Sequence, residues 1–343
     1  MRRKKILLLG SLPNENEPAS FGGATVLFKS LKEYFDRKNI NYKLILLTKY
    51  GRSSTIANYC NVLFSLLANV FNSSIIFINV SGRGFYVLVP ILLTISKIFK
   101  KKVVVRLFGS NFKEVYQNEF LKLKFLVHKI ISFSDVIIVE TKQNISFFKD
   151  KNAKSLFQLP NVRKKRNVMV SNNFSKRFVF ISHVKTSKGV DDIINAALFL
   201  DSSYTIDVYG PVMDNYNVSA FNNSNVKYKG ALHPEEVINT LLNYDVVVLP
   251  TFYQGEGHPG ILVEALSIGM PIIATNWSAI PDIVEDTFNG LLIPTKNPDL
   301  LAKAIRHFDE FNYPFFVKNA KEKFADFEEE SRYSQLMIAL EKL

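Results

Sequence analysis

One cysteine, Cys60, stands among 343 residues, so no intramolecular disulfide can form and the chain suits a reducing compartment. No D-x-D triplet occurs, which removes the usual aspartate clamp that fixes a divalent metal on a diphosphate. The five histidines, His128, His183, His233, His258 and His307, lack the close pairing of a zinc site. No G-x-G-x-x-G follows the first apolar run. GSLPNENEP (10–18) sits there instead, which disfavours a dinucleotide redox enzyme. No apolar run reaches the roughly 20 residues of a membrane-spanning helix. The longest, FYVLVPILLTISKIF (85–99), carries a central Pro90 and is expected to cover a sheet or to lie at an interface. The start, MRRKKILLLGS, is basic, but its apolar run is too short for a signal peptide and reads as a first buried strand.

What is present is globular: 47 % hydrophobic and 22 % charged residues, in a chain longer than one core usually supports. Two domains are the expectation. The formal net charge of +12 is unevenly spread. Residues 1–166 hold 29 Lys and Arg against 9 Asp and Glu; the remainder holds 14 against 22. Such asymmetry gives the first half an anionic partner: nucleic acid, a phosphate-bearing substrate or acidic lipid.

Short apolar runs alternate with helical patterns such as TVLFKSLKEYF (25–35). In the first half they are 4–10, 42–48, 74–80, 101–108, 135–140 and 154–160. After the polar stretch NVRKKRNVMVSNNFSK (161–176), the linker candidate, they resume at 177–183, 204–210, 225–231, 245–251, 271–276 and 289–294. Most are continuous rather than alternating, as parallel strands covered on both faces should be. The expected fold class is α/β: two Rossmann-like doubly wound parallel-sheet domains, 1–165 and 174–328, facing a cleft. A C-terminal helix, 329–343, is expected to pack back on the first domain. Ligands of such sheets bind outside the carboxyl ends of the strands.

One segment there concentrates chemistry. In QGEGHPGILVEALSIG (254–269), Pro259 suits a first helical turn and Gly269, followed by Pro271, a stop. The spacing predicts a helix over 260–268 with Glu264 at the border of its apolar face. Glu256 precedes it on the loop after the run 245–251. Gly257 and Gly260 permit close backbone approach, and free amides at the helix start attract anions. Two carboxylates around an anion cradle match a sugar nucleotide, which runs ribose, diphosphate, hexose. On spacing alone, a loop acid and a surface helix acid explain the pair equally well.

EGHPGILVEALSIGMPIIAT (256–275), followed by SAIPDIVEDTFNGLLIP (278–294), resembles the retaining GT-B glycosyltransferases of family 4, or group 1, whose hallmark is E-x7-E. The likeness covers nearly the whole chain and is strongest over 177–295. It implies that Glu264 holds the donor ribose and Glu256 the donor hexose, with Gly257, His258, Gly260, Ile261 and Leu262 serving sugar and phosphate. ISHVKTSKGV (181–190) matches the family's GRL…KG, which puts Lys188 on the diphosphate. His183 stands where the family has arginine, and Lys185 could substitute for the lost charge. Phe108 and Gly109 stand where the family often has His-Gly, leaving Arg106 and Ser110 as acceptor-side candidates. Gly22 and Gly23, in SFGGATVLFKSL (20–31), resemble the family's Gly-rich loop.

The resemblance therefore implies a retaining transfer of a hexose from a UDP- or GDP-linked donor to a saccharide acceptor, with no metal or other cofactor. The acceptor would be a polyprenyl-diphosphate-linked sugar in bacterial surface polysaccharide (O-antigen or capsule) assembly. The basic residues 2–5 and 97–102 suit docking on the anionic cytoplasmic face of a membrane. Two readings stand beside it: a sugar-nucleotide 2-epimerase of the same fold, and a nucleic-acid-binding protein. The latter would want an RRM, OB or helix-turn-helix signature, and none is found, so no nucleic-acid partner is expected.

Overall fold

The computed structural model describes residues 5–14, 22–47, 55–80, 84–109, 112–118, 121–221 and 225–343. The chain divides into two compact units, residues 1–160 with 330–343, and residues 161–329.

The first unit is built on β1 (Ile6–Gly10), β2 (Tyr42–Leu46), β3 (Ile75–Val80), β4 (Lys102–Leu107), β5 (Val136–Val139) and β6 (Leu156–Gln158). These pair in the order β2-β1-β3-β4-β5-β6, all parallel. Between them run α1 (Gly23–Arg37), α2 (Thr55–Val70), α3 (Gly84–Ile98), α4 (Phe112–Asn118), α5 (Leu121–Phe133) and α6 (Lys142–Asp150). The apolar run around Pro90 is thus α3, a covering helix: Phe85, Val89 and Leu92 pack on the sheet. Among the described residues, no helix is long and apolar enough to cross a membrane.

The second unit carries β7 (Arg177–Ile181), β8 (Thr205–Tyr209), β9 (Val226–Tyr228), β10 (Val246–Leu249), β11 (Ile272–Thr275) and β12 (Gly290–Ile293), paired in parallel as β12-β11-β10-β7-β8-β9. Its helices are α7 (Val190–Ala197), α8 (Val237–Leu241), α9 (Gly260–Ser267), α10 (Pro298–His307) and α11 (Tyr313–Lys323). A last helix, α12 (Glu329–Glu341), belongs to the first unit from Glu330 onward. All twelve apolar runs become strands. The α/β class with two doubly wound parallel sheets is therefore correct. The reason is visible in β10 and β11, buried at every position: a strand covered on both faces has no polar face to alternate with.

Residues 161–176, the linker candidate, are part of the second unit. Val162 and Val170 are buried. The backbone of Arg163 is clamped on both sides, its N–H donating to Phe327 O (3.0 Å) and its carbonyl accepting from Glu329 N (2.9 Å). Val170 N donates to Ile268 O. A polar composition concealed a segment whose main chain is the attachment.

The first sheet buries one charge. Arg106, opposite Asn79 in the β3–β4 register, is 1 % exposed. Its Nη1 and Nη2 have no hydrogen-bond partner among the described residues, and its guanidinium lies over the Phe108 ring (4.6 Å to the centroid). Burial pushes its pKa below the usual arginine value, with Tyr333 and Glu140 opposing. A buried charge paired this poorly destabilises the fold, and an apolar side chain of similar volume stabilises by about 1–4 kcal/mol in comparable cases. Arg106→Met is accordingly expected to raise the calorimetric midpoint by a few degrees, at about 2–4 °C per kcal/mol for a unit of this size. A drop of similar size would show the guanidinium to be a structural tie.

Candidate functional site

In the second sheet the strand order reverses between β7 and β10, the position where doubly wound sheets open a crevice at their carboxyl ends. The loops after these two strands touch. A Cβ on Gly189 would lie 2.1 Å from Pro250 O, and Gly189 holds φ +80°, so glycine is required twice over. Phe252 N donates to Ser187 O at 2.9 Å. The short 3₁₀ turn Thr186–Lys188 is thereby pressed against the β10 loop, and Lys188 Nζ donates to Glu256 Oε2 at 2.6 Å. Thr251 Oγ1 donates to the same oxygen at 2.8 Å. Both charged side chains are buried. Ser278 Oγ fixes the Glu256 carbonyl (2.7 Å).

Tyr253 supports the cations: its ring lies 5.0 Å from Lys188 Nζ and 4.4 Å from Lys185 Nζ. His183 stands exposed on the same loop. Partial desolvation, together with Lys188 and Lys185, holds its pKa below the usual histidine value, so it is neutral at pH 7.

The helix α9 begins at Gly260 after Pro259, and its last residue is Ser267, one short of the expected span. Among the described residues, the amides of Gly260 and Ile261 have no acceptor in the protein, whereas Leu262 N donates to Pro259 O (3.1 Å). Leu262 itself is core; Gly257, Gly260 and Ile261 are half-buried. The Glu264 side chain is 25 % exposed, and Arg163 Nε donates to its Oε1 at 2.9 Å. Gly260 is approached by this same arginine: a Cβ there would lie 2.2 Å from Arg163 Nη2. The His258 imidazole turns inward. It is 4 % exposed, with Nε2 3.2 Å from Asp282 Oδ2, while its carbonyl accepts from Asn161 Nδ2 (2.8 Å). His258 therefore meets the crevice only through its backbone.

Sequence reasoning gathered Glu256, Glu264, Lys188 and His183 into one segment pair; the structure pairs Lys188 with Glu256, sets His183 near both, and ties Glu264 to Arg163. It missed Arg163, Thr251 and Tyr253. Thr251 and Tyr253 flank the end of an apolar run and could have been found as loop polar groups; nothing local marks Arg163, which reaches Glu264 across 101 positions.

In the first unit, Gly22 is the N-terminal cap of α1 with φ −99°, and neither Gly22 nor Gly23 has atoms within 4 Å of a notional Cβ. Neither needs glycine in this conformation. Ser110 lies outside the described residues. Gly109 does need glycine, at φ +101°, and its N–H donates to Glu140 Oε2 at 3.1 Å. A cavity of about 210 Å³ opens at the carboxyl ends of β1 and β3, where this sheet's order reverses; Ser11, Thr25, Tyr59 and Asn79 bring polar atoms to it and Phe108 one wall.

Residues 161–314 match the family model described as glycosyl transferases group 1. Over this stretch the chain is similar to the group 1 glycosyl transferases. The first residue of the stretch coincides with the first residue of the second unit. The chain is 29 % identical over 126 residues to a putative colanic acid biosynthesis glycosyltransferase of Salmonella typhimurium, covering 34 % of this chain and 31 % of that one. It is 25 % identical over 182 residues to the amylovoran biosynthesis glycosyltransferase AmsK of Erwinia amylovora, covering 49 % and 45 %. The chain thus matches 31 % and 45 % of the length of these curated relatives. Its fold is that of Anabaena HepE crystallised with UDP, at TM-score 0.74 and 16 % identity over 99 % of this chain and 100 % of that one.

Within the second unit, the Lys188–Glu256 pair is both buried and coupled, so truncating one partner strands the other. Lys188→Met or Glu256→Leu alone is expected to destabilise by about 3–5 kcal/mol, and the double substitution by much less than the sum. Calorimetric midpoints of the four proteins measure the coupling. Additive losses would mean the pair is not formed.

Proposed function

We propose that this chain is a retaining hexosyltransferase, using a nucleotide-diphosphate sugar without a metal ion. The observation that carries the reading is the arrangement at α9: Glu256 before the helix and Glu264 within it, each on a basic partner, with two free amides between them. Ribose hydroxyls donate to Glu264 and hexose hydroxyls to Glu256. The diphosphate lies against the Gly260 and Ile261 amides, where the helix dipole favours negative charge. Lys188 stabilises the charge that grows on the leaving diphosphate, as oxyanion donors do elsewhere.

Glu256, the acid assigned to the hexose, is already engaged by Lys188 and Thr251, which leaves it poorly placed to form a glycosyl intermediate. The reaction fitting that arrangement is a front-face displacement. The bond from the anomeric carbon to the phosphate oxygen breaks while the acceptor hydroxyl oxygen bonds to that carbon on the same face. The hydroxyl proton passes to the departing phosphate oxygen, and the configuration is kept.

The related proteins support a role in bacterial surface polysaccharide assembly, and one relative, 24 % identical over 214 residues, is a Campylobacter jejuni N-acetylgalactosaminyltransferase named for a diphospho-undecaprenol acceptor. In this reading the first unit's cavity takes the acceptor saccharide. The same unit docks on the cytoplasmic membrane face. Its α2, α3 and α5 lie side by side, and each leaves large apolar residues exposed: Phe64 (74 %), Ile91 (44 %) and Phe125 (59 %). Lys100, Lys101 and Lys102 follow at the end of α3. Apolar side chains rimmed by cations suit an anionic lipid surface.

Two experiments check the reading. In a thermal-shift panel of UDP- and GDP-sugars, the true donor at 100 times its Kd stabilises by about 2.7 kcal/mol. Glu264→Gln is expected to abolish the shift and EDTA to leave it intact; a shift that survives the substitution would sink the site assignment, and one lost to EDTA the metal-free chemistry. Separately, the protein should sediment with anionic liposomes at low salt, and Phe64→Ser with Ile91→Ser should weaken this about tenfold or more, each buried side chain contributing about 1.5–3 kcal/mol. Protein left wholly in the supernatant refutes the docking.

A further inference from the structure

A diphosphate brings more than one negative charge, and the loops around α9 offer it little free positive charge. Lys188 is matched by Glu256 at 2.6 Å. His183 is neutral at pH 7, for the reasons given above. Lys185 sits over the Tyr253 ring. A further cation is Arg163, paired with Glu264 through Nε only and delivered from the segment before β7 rather than from the β7 loop.

Its geometry is specific. The backbone is pinned by Phe327 and Glu329. Nε is bound to Glu264, and Nη1 donates to Asn161 Oδ1 and to Val162 O (3.0 Å). Nη2 lies against Gly260, with no acceptor among the described residues. The side chain is 19 % exposed, enough for a ligand to reach it. A guanidinium at the amino end of a helix is disfavoured by the helix dipole, and Glu264 offsets that cost. An anion bound here would meet the Gly260 and Ile261 amides and one edge of the guanidinium together, the planar fork being suited to phosphate oxygens.

We infer that Arg163 is a donor-binding residue: it binds the donor diphosphate at the amino end of α9 through Nη2, while Nε keeps Glu264 turned toward the ribose. This rests on the donor-site reading above. One residue thereby couples recognition of the phosphate to recognition of the sugar beside it. The site is charge-balanced before the donor arrives, with two acids on two bases. As the sugar hydroxyls share the carboxylates, both bases become available to the diphosphate.

The test is isothermal titration of the full chain with UDP, GDP and the corresponding nucleosides. Arg163→Gln is expected to raise Kd for the diphosphate that binds by about tenfold or more while changing Kd of its nucleoside much less. Arg163→Lys, which keeps the charge and loses the fork, is expected to fall between. A purely structural arginine, holding Glu264 alone, would weaken nucleoside and diphosphate by the same factor, and that result overturns the inference. So does a diphosphate Kd that Arg163→Gln leaves within about twofold. If neither diphosphate binds the unsubstituted chain, the donor-site reading itself falls and takes this inference with it, which separates the two failures.

Discussion

The site in the second unit depends on one buried ion pair, Lys188 Nζ to Glu256 Oε2, at the reversal of strand order between β7 and β10. Burying two charges costs several kcal/mol each unless geometry and added hydrogen bonds repay it. Here Thr251 provides the additional donor and the Tyr253 ring a face for the ammonium. The pair in turn requires that two loops touch, and they can touch only because position 189 has no Cβ. Gly189, Lys188, Thr251 and Glu256 thus form a single constraint: a change at any one of them moves the others.

The second carboxylate is held differently. Glu264 is a quarter exposed and its arginine partner is a fifth exposed, so their attraction is partly screened by water. Such a pair is weak as a stabilising contact and useful as an orienting one. A hydroxyl can take one lone pair of Glu264 without stranding Arg163, because the guanidinium has other acceptors in Asn161 and Val162. The buried pair fixes the crevice, and the half-exposed pair leaves room for a ligand to compete.

The strands were legible because a parallel strand covered on both faces is a continuous apolar run, and runs such as VVVL and IIAT have no other use. The fold class placed the loops of Lys188 and Glu256 at the carboxyl ends of their strands, but the ion pair between them is seen only in the structure. Arg163 was not legible. It lies in a polar, basic stretch that reads as a linker, and its importance arises from main-chain hydrogen bonds to Phe327 and Glu329, which no side-chain pattern records. His258 entered the reading through its main chain, and its ring is buried against Asp282 and Phe327. Gly22 and Gly23 read as close-approach positions; Gly22 is the N-terminal cap of α1, and open space lies beside both.

Charge distribution separates the roles of the two halves. In the proposed reading, the second unit, residues 161–329, carries 20 acidic against 16 basic residues, so its own net charge does not draw in an anionic donor. Affinity for a diphosphate must then come from short-range groups within a partly desolvated crevice: two free amides, Lys188 and Arg163. Interactions of that kind are screened little by salt, because the Debye length of about 8 Å at physiological ionic strength exceeds the distances over which they act. The basic excess of residues 1–166 works over the opposite range. Spread over a surface that also exposes Phe64, Ile91 and Phe125, it acts through water and weakens as salt rises. In the proposed reading, the chain would meet a small anion by fixed geometry and an extended anionic surface by the field itself.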